Sequence, residues 1–235
     1  MFTFFATDLE SESVVLSVEE SRHCVRTLRK VAGDTIALTD GQGRCAVGEI
    51  AVADASACMV NVLERHRTPP RRCRLHLAVA PTKNSDRMEW LVEKAVEIGC
   101  EKISFIICEH SERRKQDLSR LQRIAVSALK QSQTSVLPEM QVVGFKDFIE
   151  KNETQELARY IAWCDDENTA QLVDEPLPEG EVLLLIGPEG DFSKEEIDIC
   201  KSKKYKEIKL GSRRLRTETA ALYGCFVVSA SNEKM

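Results

Sequence analysis

Apolar and polar residues alternate in short runs over residues 1 to about 68. TFFA, TIALTD, RCAVGEIAV and ACMVNVLE each read as a β-strand, with turn signals at Ala32-Gly33-Asp34 and Asp40-Gly41-Gln42-Gly43 between them. One stretch breaks the pattern. In VEESRHCVRTLR, Val18, Val25 and Leu28 share one face of a short helix, and Arg22, Arg26 and Arg29 lie on another. A small β-barrel with one helix is the economical architecture. Pro69-Pro70 marks its end, and the chain divides into residues 1–72 and 73–235.

Beyond the prolines the period changes. LHLAVAP, KISFIIC, MQVVG, ARYIAWC, EVLLLIG and YKEIKLG are strand candidates. Between them, NSDRMEWLVEKAVEIGC places Met88, Leu91, Val92 and Ala95 on one helical face and ends at Gly99. A second helix from Leu118 to about Gln131 turns Leu118, Leu121, Ala125, Ala128 and Leu129 inward. SKEEIDICKSK opens with a capping box from Ser193 to Glu196, and a last helix covers roughly Glu218 to Ser231. Strands alternating with helices, and apolar on both faces, predict an α/β fold with a mostly parallel sheet covered by helices.

Composition narrows the class. With 43% hydrophobic and 30% charged residues, 11 Gly and 7 Pro, intrinsic disorder and collagen-like chains are excluded. No apolar run approaches the roughly 20 residues that span a bilayer. The start, MFTFFATDLESES, has no basic region and turns acidic, so it does not read as a secretory signal, and a cytoplasmic location is expected. Nine cysteines, none in a C-x-x-C pair, read as small buried apolar residues in a reducing compartment. The four histidines, His23, His66, His76 and His110, never fall at i, i+4, so no metal centre is expected. His23 reads as a structural helix residue rather than a ligand.

Charge is uneven. Through Arg74, ten Lys/Arg meet ten Asp/Glu; after it, 23 meet 28, which carries the whole net charge of -5. Within the neutral part, RHRTPPRRCR packs Arg65, Arg67, Arg71, Arg72 and Arg74 into ten residues. Such a strip is either a surface for a phosphate-bearing partner or a solvated linker.

Two segments carry the chemistry. The match of Gly41-Gln42-Gly43-Arg44-Cys45-Ala46 to a dinucleotide fingerprint is discounted, because CAVGEIAV after it alternates as a strand and supplies no helix N-terminus for a pyrophosphate. LLLIGPEGDFSKEEI, by contrast, sets Gly187-Pro188-Glu189-Gly190 between an apolar strand and a capped helix. IKLGSRRLRTETAALYG ends a strand at Gly211 and packs Arg213, Arg214, Arg216, Thr217, Glu218 and Thr219 before an Ala-rich helix. Each alone is compatible with a plain strand-to-helix connection. Together they bring main-chain donors and acceptors to the carboxyl ends of strands, where open α/β sheets bind ligands, and glycines permit close approach.

The pair GPEGDFSKEEI and LGSRRLRTETAAL resembles the signature of the RsmE family, SPOUT-class methyltransferases that act on N3 of a uridine in small-subunit (16S) ribosomal RNA with S-adenosylmethionine. The resemblance runs over essentially the whole chain. HCVRTLRKVAGDTIALTDGQG resembles the family's PUA-like RNA-binding barrel, and KNSDRMEWLVEKAVEIGCEKI the opening helix of its catalytic domain. It implies a C-terminal trefoil knot, a homodimer, and ribosomal RNA or the assembled small subunit as partner. It further implies a cofactor site at Ile186, Gly187, Pro188, Glu189, Gly190, Leu210, Gly211, Leu215, Arg216, Thr217 and Thr219. Arg216 is the candidate cation for the developing uridine anion, and Glu218 either a proton acceptor or a carboxylate that complements the helix dipole. Glu189 either anchors its loop or meets the cofactor's amino group. Arg22, Arg26, Arg29, Arg65, Arg67, Arg71 and Arg72 are the candidate phosphate contacts. Two departures stand out: Asp191 replaces the second glycine of GPEGG, and Gln133-Thr134-Ser135 lacks the arginine usual after Gln131-Ser132.

Two other classes remain at this point. A non-catalytic RNA-binding protein explains the arginines but not the two loops, and an enzyme of the same class acting on transfer RNA shares both.

Overall fold

A computed structural model describes residues 1–153, 157–164 and 169–233. Contacts divide them into two compact units, Met1–Pro70 with Val126–Leu137, and Arg71–Ala125 with Pro138–Met235. The return of residues 126–137 to the first unit is a discontinuity that the division at residue 72 did not contain.

In the first unit, β1 (Thr3–Phe5), β2 (Ser13–Val15), β3 (Thr35–Thr39), β4 (Arg44–Val52) and β5 (Met59–Arg67) form one sheet in the order β1-β3-β4-β5-β2. Only β1 and β3 pair in parallel. Alternation along the strands buries Phe4, Val14, Ile36, Leu38, Ile50 and Val60. The register of β4 on β5 shifts at Gly48, where an added Cβ would stand 2.5 Å from Val60 Cγ1. Residues 126–137 are tied in by the Lys130–Glu20 ion pair at 2.6 Å and by main-chain bonds from Gly43 to Ser135 and from Leu137 to Gly41.

The helix expected over VEESRHCVRTLR is shorter and not uniform. α1 (Val18–Arg22), capped by the Ser17 side chain, widens into one π-helical turn, His23–Thr27, and ends at Arg29 with φ 55. That turn breaks the 3.6-residue phase on which grouping Val18 with Val25 and Leu28 relied. Val18 is exposed, and Ser21 and Cys24 are buried instead. The His23 ring lies 6.1 Å from that of Phe4, a packing contact.

The second unit is a fully parallel sheet in the order β11-β9-β10-β6-β7-β8, built from β6 (Cys73–Val79), β7 (Lys102–Ile107), β8 (Glu139–Gly144), β9 (Ala158–Ala162), β10 (Gly180–Ile186) and β11 (Lys206–Ile208). Helices cover both faces. α2 (Ser85–Ile98) packs with α6 (Thr217–Asn232), and α6 lies on β6 and β10. The contact is close: a Cβ on Gly224 would overlap Leu184 Cδ2. α4 (Phe145–Lys151) and α5 (Lys194–Ser202) supply Phe145, Phe148, Ile149, Ile197 and Cys200 to a core with Ala78, Ile106, Leu183 and Leu185. α3 (Leu118–Ser132) connects β7 to β8. Burial pushes the thiols of Cys24 and Cys200 up to about 12, as expected of inert core residues.

One buried polar chain crosses this sheet. Glu181, held at 3.0 Å by Lys102 Nζ, lies 3.5 Å from His76 Nδ1, whose Nε2 is 2.8 Å from Ser104 Oγ. His76 is 4% exposed, and burial lowers its pKa to about 4 from 6.5. It is therefore neutral when folded, while the unfolded chain takes up a proton below pH 6.5. Stability is expected to be full above that pH and to fall between pH 6.5 and 4, by on the order of 3 kcal/mol. Urea titrations across this range on the wild type and on His76→Gln check it; equal slopes with pH would remove His76 as the cause.

Candidate cofactor site at the strand ends

Parallel pairing sets Ile186 opposite Ala162, and Ala162 opposite Ile208, so the chain leaves β10, β9 and β11 side by side. The segments that follow enclose a cavity of about 990 Å³, at the upper end of the roughly 300–1,000 Å³ typical of small-molecule sites. Ile186, Gly187, Pro188, Glu189, Leu210, Gly211, Leu215, Arg216 and Thr217 all line it.

Each loop has a local cause for its shape. After Ile186 the chain turns with Asp191 N–H donating to Pro188 O at 2.9 Å, and Asp191 itself sits at φ 64. Asn and Asp tolerate that left-handed region better than most residues, so Asp191 fills a place where glycine would be strain-free. Its carboxylate also accepts from Cys164 N–H at 3.0 Å and Phe192 N–H at 2.8 Å, which ties the loop after β9 to the loop after β10. Glu189 accepts from Lys83 N–H at 3.1 Å, an anchor for its loop. The second loop turns at Gly211, φ 100, whose N–H donates to Gln171 Oε1 at 3.0 Å. Among the described residues, its chain neighbours apart, no atom lies within 4 Å of the place its Cβ would take. Thr217 Oγ1 donates to Gly187 O at 3.1 Å, joining the two loops.

Two residues expected here lie elsewhere. Gly190 does not line the cavity: the place of its Cβ is 3.2 Å from His110 Cβ, so its lack of a side chain serves packing against the protein. Gly187 is similarly close to the Phe192 ring. Thr219 faces a second hollow of about 660 Å³, lined with Asp86, Arg87, Trp90, Arg214, Leu215, Arg216 and Glu218. The main cavity also takes in Trp163, Cys164, Thr169 and Gln171. No local pattern singles these out, because only the insertion of β9 between β10 and β11 brings them here.

The two hollows share Arg214, Leu215 and Arg216. Arg216 is exposed at the N-cap of α6. Glu218, two residues on, is only 6% exposed; its Oε1 is 3.6 Å from Arg87 Nε, and its Oε2 is buried without a hydrogen-bond partner among the described residues. A macrodipole needs no such burial, and an unpaired buried carboxylate oxygen is costly. The donor set suits S-adenosylmethionine: Ile186, Leu210 and Leu215 offer apolar walls, and Gly211 leaves its backbone open to a ligand. Among the described residues, no group of three or more His, Cys, Asp or Glu is arranged to hold a metal ion.

The arginines of the strip differ in their partners. Arg65 spends its guanidinium on the carbonyls of Leu9, Glu10 and Ser11, and Arg71 caps the end of α2 at Ile98 O and Gly99 O. Arg72 pairs with Glu179 at 3.8 Å. Arg22, Arg26, Arg29 and Arg67 are exposed. Gln133, beside the place where the family's usual arginine is absent, follows the end of α3 at φ 55.

A family model described as an RNA methyltransferase domain matches residues 69–229. Among solved structures, a probable rRNA-methyltransferase from Porphyromonas gingivalis is 38% identical with 99% of each chain covered and a TM-score of 0.90. The ribosomal RNA small subunit methyltransferase E from Neisseria gonorrhoeae, solved bound to S-adenosyl methionine, is 26% identical with 98% of each chain covered and a TM-score of 0.88. Among curated proteins, the ribosomal RNA small subunit methyltransferase E of Rickettsia conorii is 29% identical over 220 residues, covering 91% of this chain and 88% of its own. Two strand-end loops around one cavity, in a domain matched almost throughout by that model, make this chain a member of the RNA methyltransferase family, among the small subunit methyltransferases E.

Proposed function

We propose that this protein methylates N3 of a uridine in small-subunit ribosomal RNA, using S-adenosylmethionine. The observation that carries the reading is the wall Arg214–Arg216, shared by the cavity and by a hollow holding a buried, half-unpaired carboxylate. When bound, the cofactor supplies an electrophilic methyl carbon whose bond to sulfur breaks with the electron pair left on sulfur. The chain's own residues do the rest. The loops at Gly187–Glu189 and Leu210–Thr217 bind and orient, which is where most of the rate of an in-line displacement originates. Glu218 is the proton acceptor for uridine N3 in this reading, and the Arg216 guanidinium stabilises negative charge developing on O2 or O4.

N3 lies on the Watson–Crick edge, so the target base must be unpaired or flipped out. The N-terminal unit is the RNA-docking module in this reading, a PUA-like barrel, supported by the curling five-stranded sheet order and the exposed Arg22, Arg26, Arg29 and Arg67. A SPOUT-type trefoil knot is supported by the path of the chain: it leaves β11 at one sheet edge and returns as α6 on β6 and β10, with Thr217 bonded to Gly187. A homodimer is supported by the apolar side chains left outside on α6 and α2, with Phe226 60% and Trp90 45% exposed. No helix among the described residues is long and apolar enough to cross a membrane, and a cytoplasmic location fits a ribosomal substrate.

Mapping 3-methyluridine in ribosomal RNA from cells with and without the protein tests the function. A mark that persists without the protein, or that appears in transfer RNA instead, overturns it. Docking has its own test. Replacing Arg22, Arg26 and Arg67 by alanine is expected to flatten the salt dependence of RNA binding by up to about one unit of slope for each phosphate left without its arginine. Arg65→Ala is expected to lower the melting temperature and leave the slope alone, because its donors are occupied by carbonyls. A flattened slope in Arg65→Ala alone would reverse the assignment.

A further inference from the structure

Position 191 combines a strained backbone with a fully committed carboxylate. Among the described residues, Arg29, Gln133, Asp191 and Lys204 hold a positive φ without being glycine. Arg29, Gln133 and Lys204 each follow the end of a helix, where a left-handed residue is a routine stop. Asp191 ends no helix. It stands on the wall of the cofactor cavity, shortly before Ser193, the N-cap of α5. A strained residue in such a place persists only where the contacts around it over-determine its conformation.

Those contacts reach three strand ends. Asp191 Oδ2 accepts from Cys164 N–H at 3.0 Å, beyond β9, and Oδ1 accepts from Phe192 N–H at 2.8 Å, beyond β10. Its carbonyl is 3.1 Å from Nδ1 of His110, beyond β7. The same nitrogen is 3.2 Å from Gly190 O, and with two carbonyls as partners it must carry the proton. Both carboxylate bonds end on cavity wall. Trp163 and Cys164 line the cavity, and the Trp163 indole is already fixed by β11 and α5: Nε1 donates to Glu207 Oε2 at 2.8 Å, and Lys201 Nζ is 5.6 Å from the ring centroid. Asp191 holds the main chain next to that indole. Phe192 backs Gly187, whose Cβ would stand 3.1 Å from the Phe192 ring, and Gly187 lines the cavity.

We propose that Asp191 is a positioning residue for the cofactor, holding the Trp163–Cys164 wall and the Gly187 turn in the shape that receives S-adenosylmethionine before it binds. The proposal rests on the function given above and deepens it. Glycine at 191 relaxes the backbone but gives up both carboxylate bonds. This chain makes the opposite exchange. A wall ordered in advance need not be ordered by the ligand, so the tie is felt as affinity.

Asp191→Gly and Asp191→Asn separate the tie from the backbone angle. By calorimetry, Asp191→Gly is expected to bind S-adenosylmethionine roughly ten- to hundredfold more weakly, about the worth of a hydrogen bond to a charged acceptor. Its melting temperature should stay near that of the wild type, because glycine relieves the strain as the bonds are lost. Asp191→Asn keeps a side-chain oxygen and tolerates the left-handed region, and should recover part of the affinity. In the cofactor-free protein, amide exchange at Cys164 should quicken in Asp191→Gly and stay unchanged at Leu183 in the middle of β10.

Wild-type affinity in Asp191→Gly, or unchanged exchange at Cys164, overturns the positioning role. A collapsed melting curve in both variants makes Asp191 a folding residue and overturns it as well. If the wild type itself binds no S-adenosylmethionine, the function beneath the proposal falls; if it binds and Asp191→Gly binds equally well, the positioning role alone falls.

Discussion

Replacing Gly211 by valine is expected to weaken S-adenosylmethionine binding roughly ten- to hundredfold while the protein remains folded. Gly211 holds φ at 100, a region where a β-branched residue is a genuine outlier and a non-glycine costs about 1–3 kcal/mol. Space is not the obstacle, since among the described residues no atom beyond its chain neighbours lies within 4 Å of the added Cβ. The strain falls on the loop, which is free to relax without disturbing the core. Relaxation breaks the bond from Gly211 N–H to Gln171 and moves the cavity wall, so the cost reappears as lower affinity. Calorimetry gives the affinity and a melting curve the fold. Unchanged affinity would remove Gly211 from the site, and a collapsed melting curve would make it a folding residue. Gln171→Ala, which removes the side-chain acceptor and leaves the backbone angle alone, is expected to have a smaller effect in the same direction.

Arg216→Ala is expected to slow methyl transfer by about 10²–10³ at saturating RNA and cofactor, the usual cost of one preorganised donor aimed at developing charge. The side chain is exposed and lies at the wall between cavity and hollow, so its removal leaves the core untouched. Uridine is neutral before reaction and acquires negative character only as N3 loses its proton. The interaction therefore counts mainly in the transition state, and ground-state RNA affinity should hardly move. Single-turnover rates measure the first quantity and equilibrium binding the second. A full single-turnover rate would take Arg216 out of the chemistry; equal losses in rate and affinity would make it a docking residue.

The elements long enough to show a period were legible in the chain. α2 ends at Gly99 in a left-handed cap, α5 carries the Ser193–Glu196 box with both of its bonds formed, and α3 covers the expected residues. Some short elements escaped. β2 is three residues of an acidic stretch and exists because Val14 pairs opposite Val60 on β5. α4 has seven residues, too few for a helical period to register, and is held by the burial of Phe145, Phe148 and Ile149. The π-helical turn after α1 is equally invisible, because no residue type announces an i to i+5 bond.

For the site, chain chemistry named both loops, and nearly all the residues that the family resemblance implied line the cavity. Glycine at a strand end, proline beside it and a Thr-Glu-Thr run opening a helix are local signals, and local signals survive in a linear string. Tertiary structure decided the rest. The parallel insertion of β9 between β10 and β11 delivers Trp163 and Gln171 to the cavity, from a segment without a motif. Packing set Gly190 against His110 and Thr219 on the second hollow, and it engages Arg65 and Arg71 with main-chain carbonyls. Residue type and spacing determine what a side chain is able to do; which partner it meets depends on segments distant in sequence, through packing that no local pattern records.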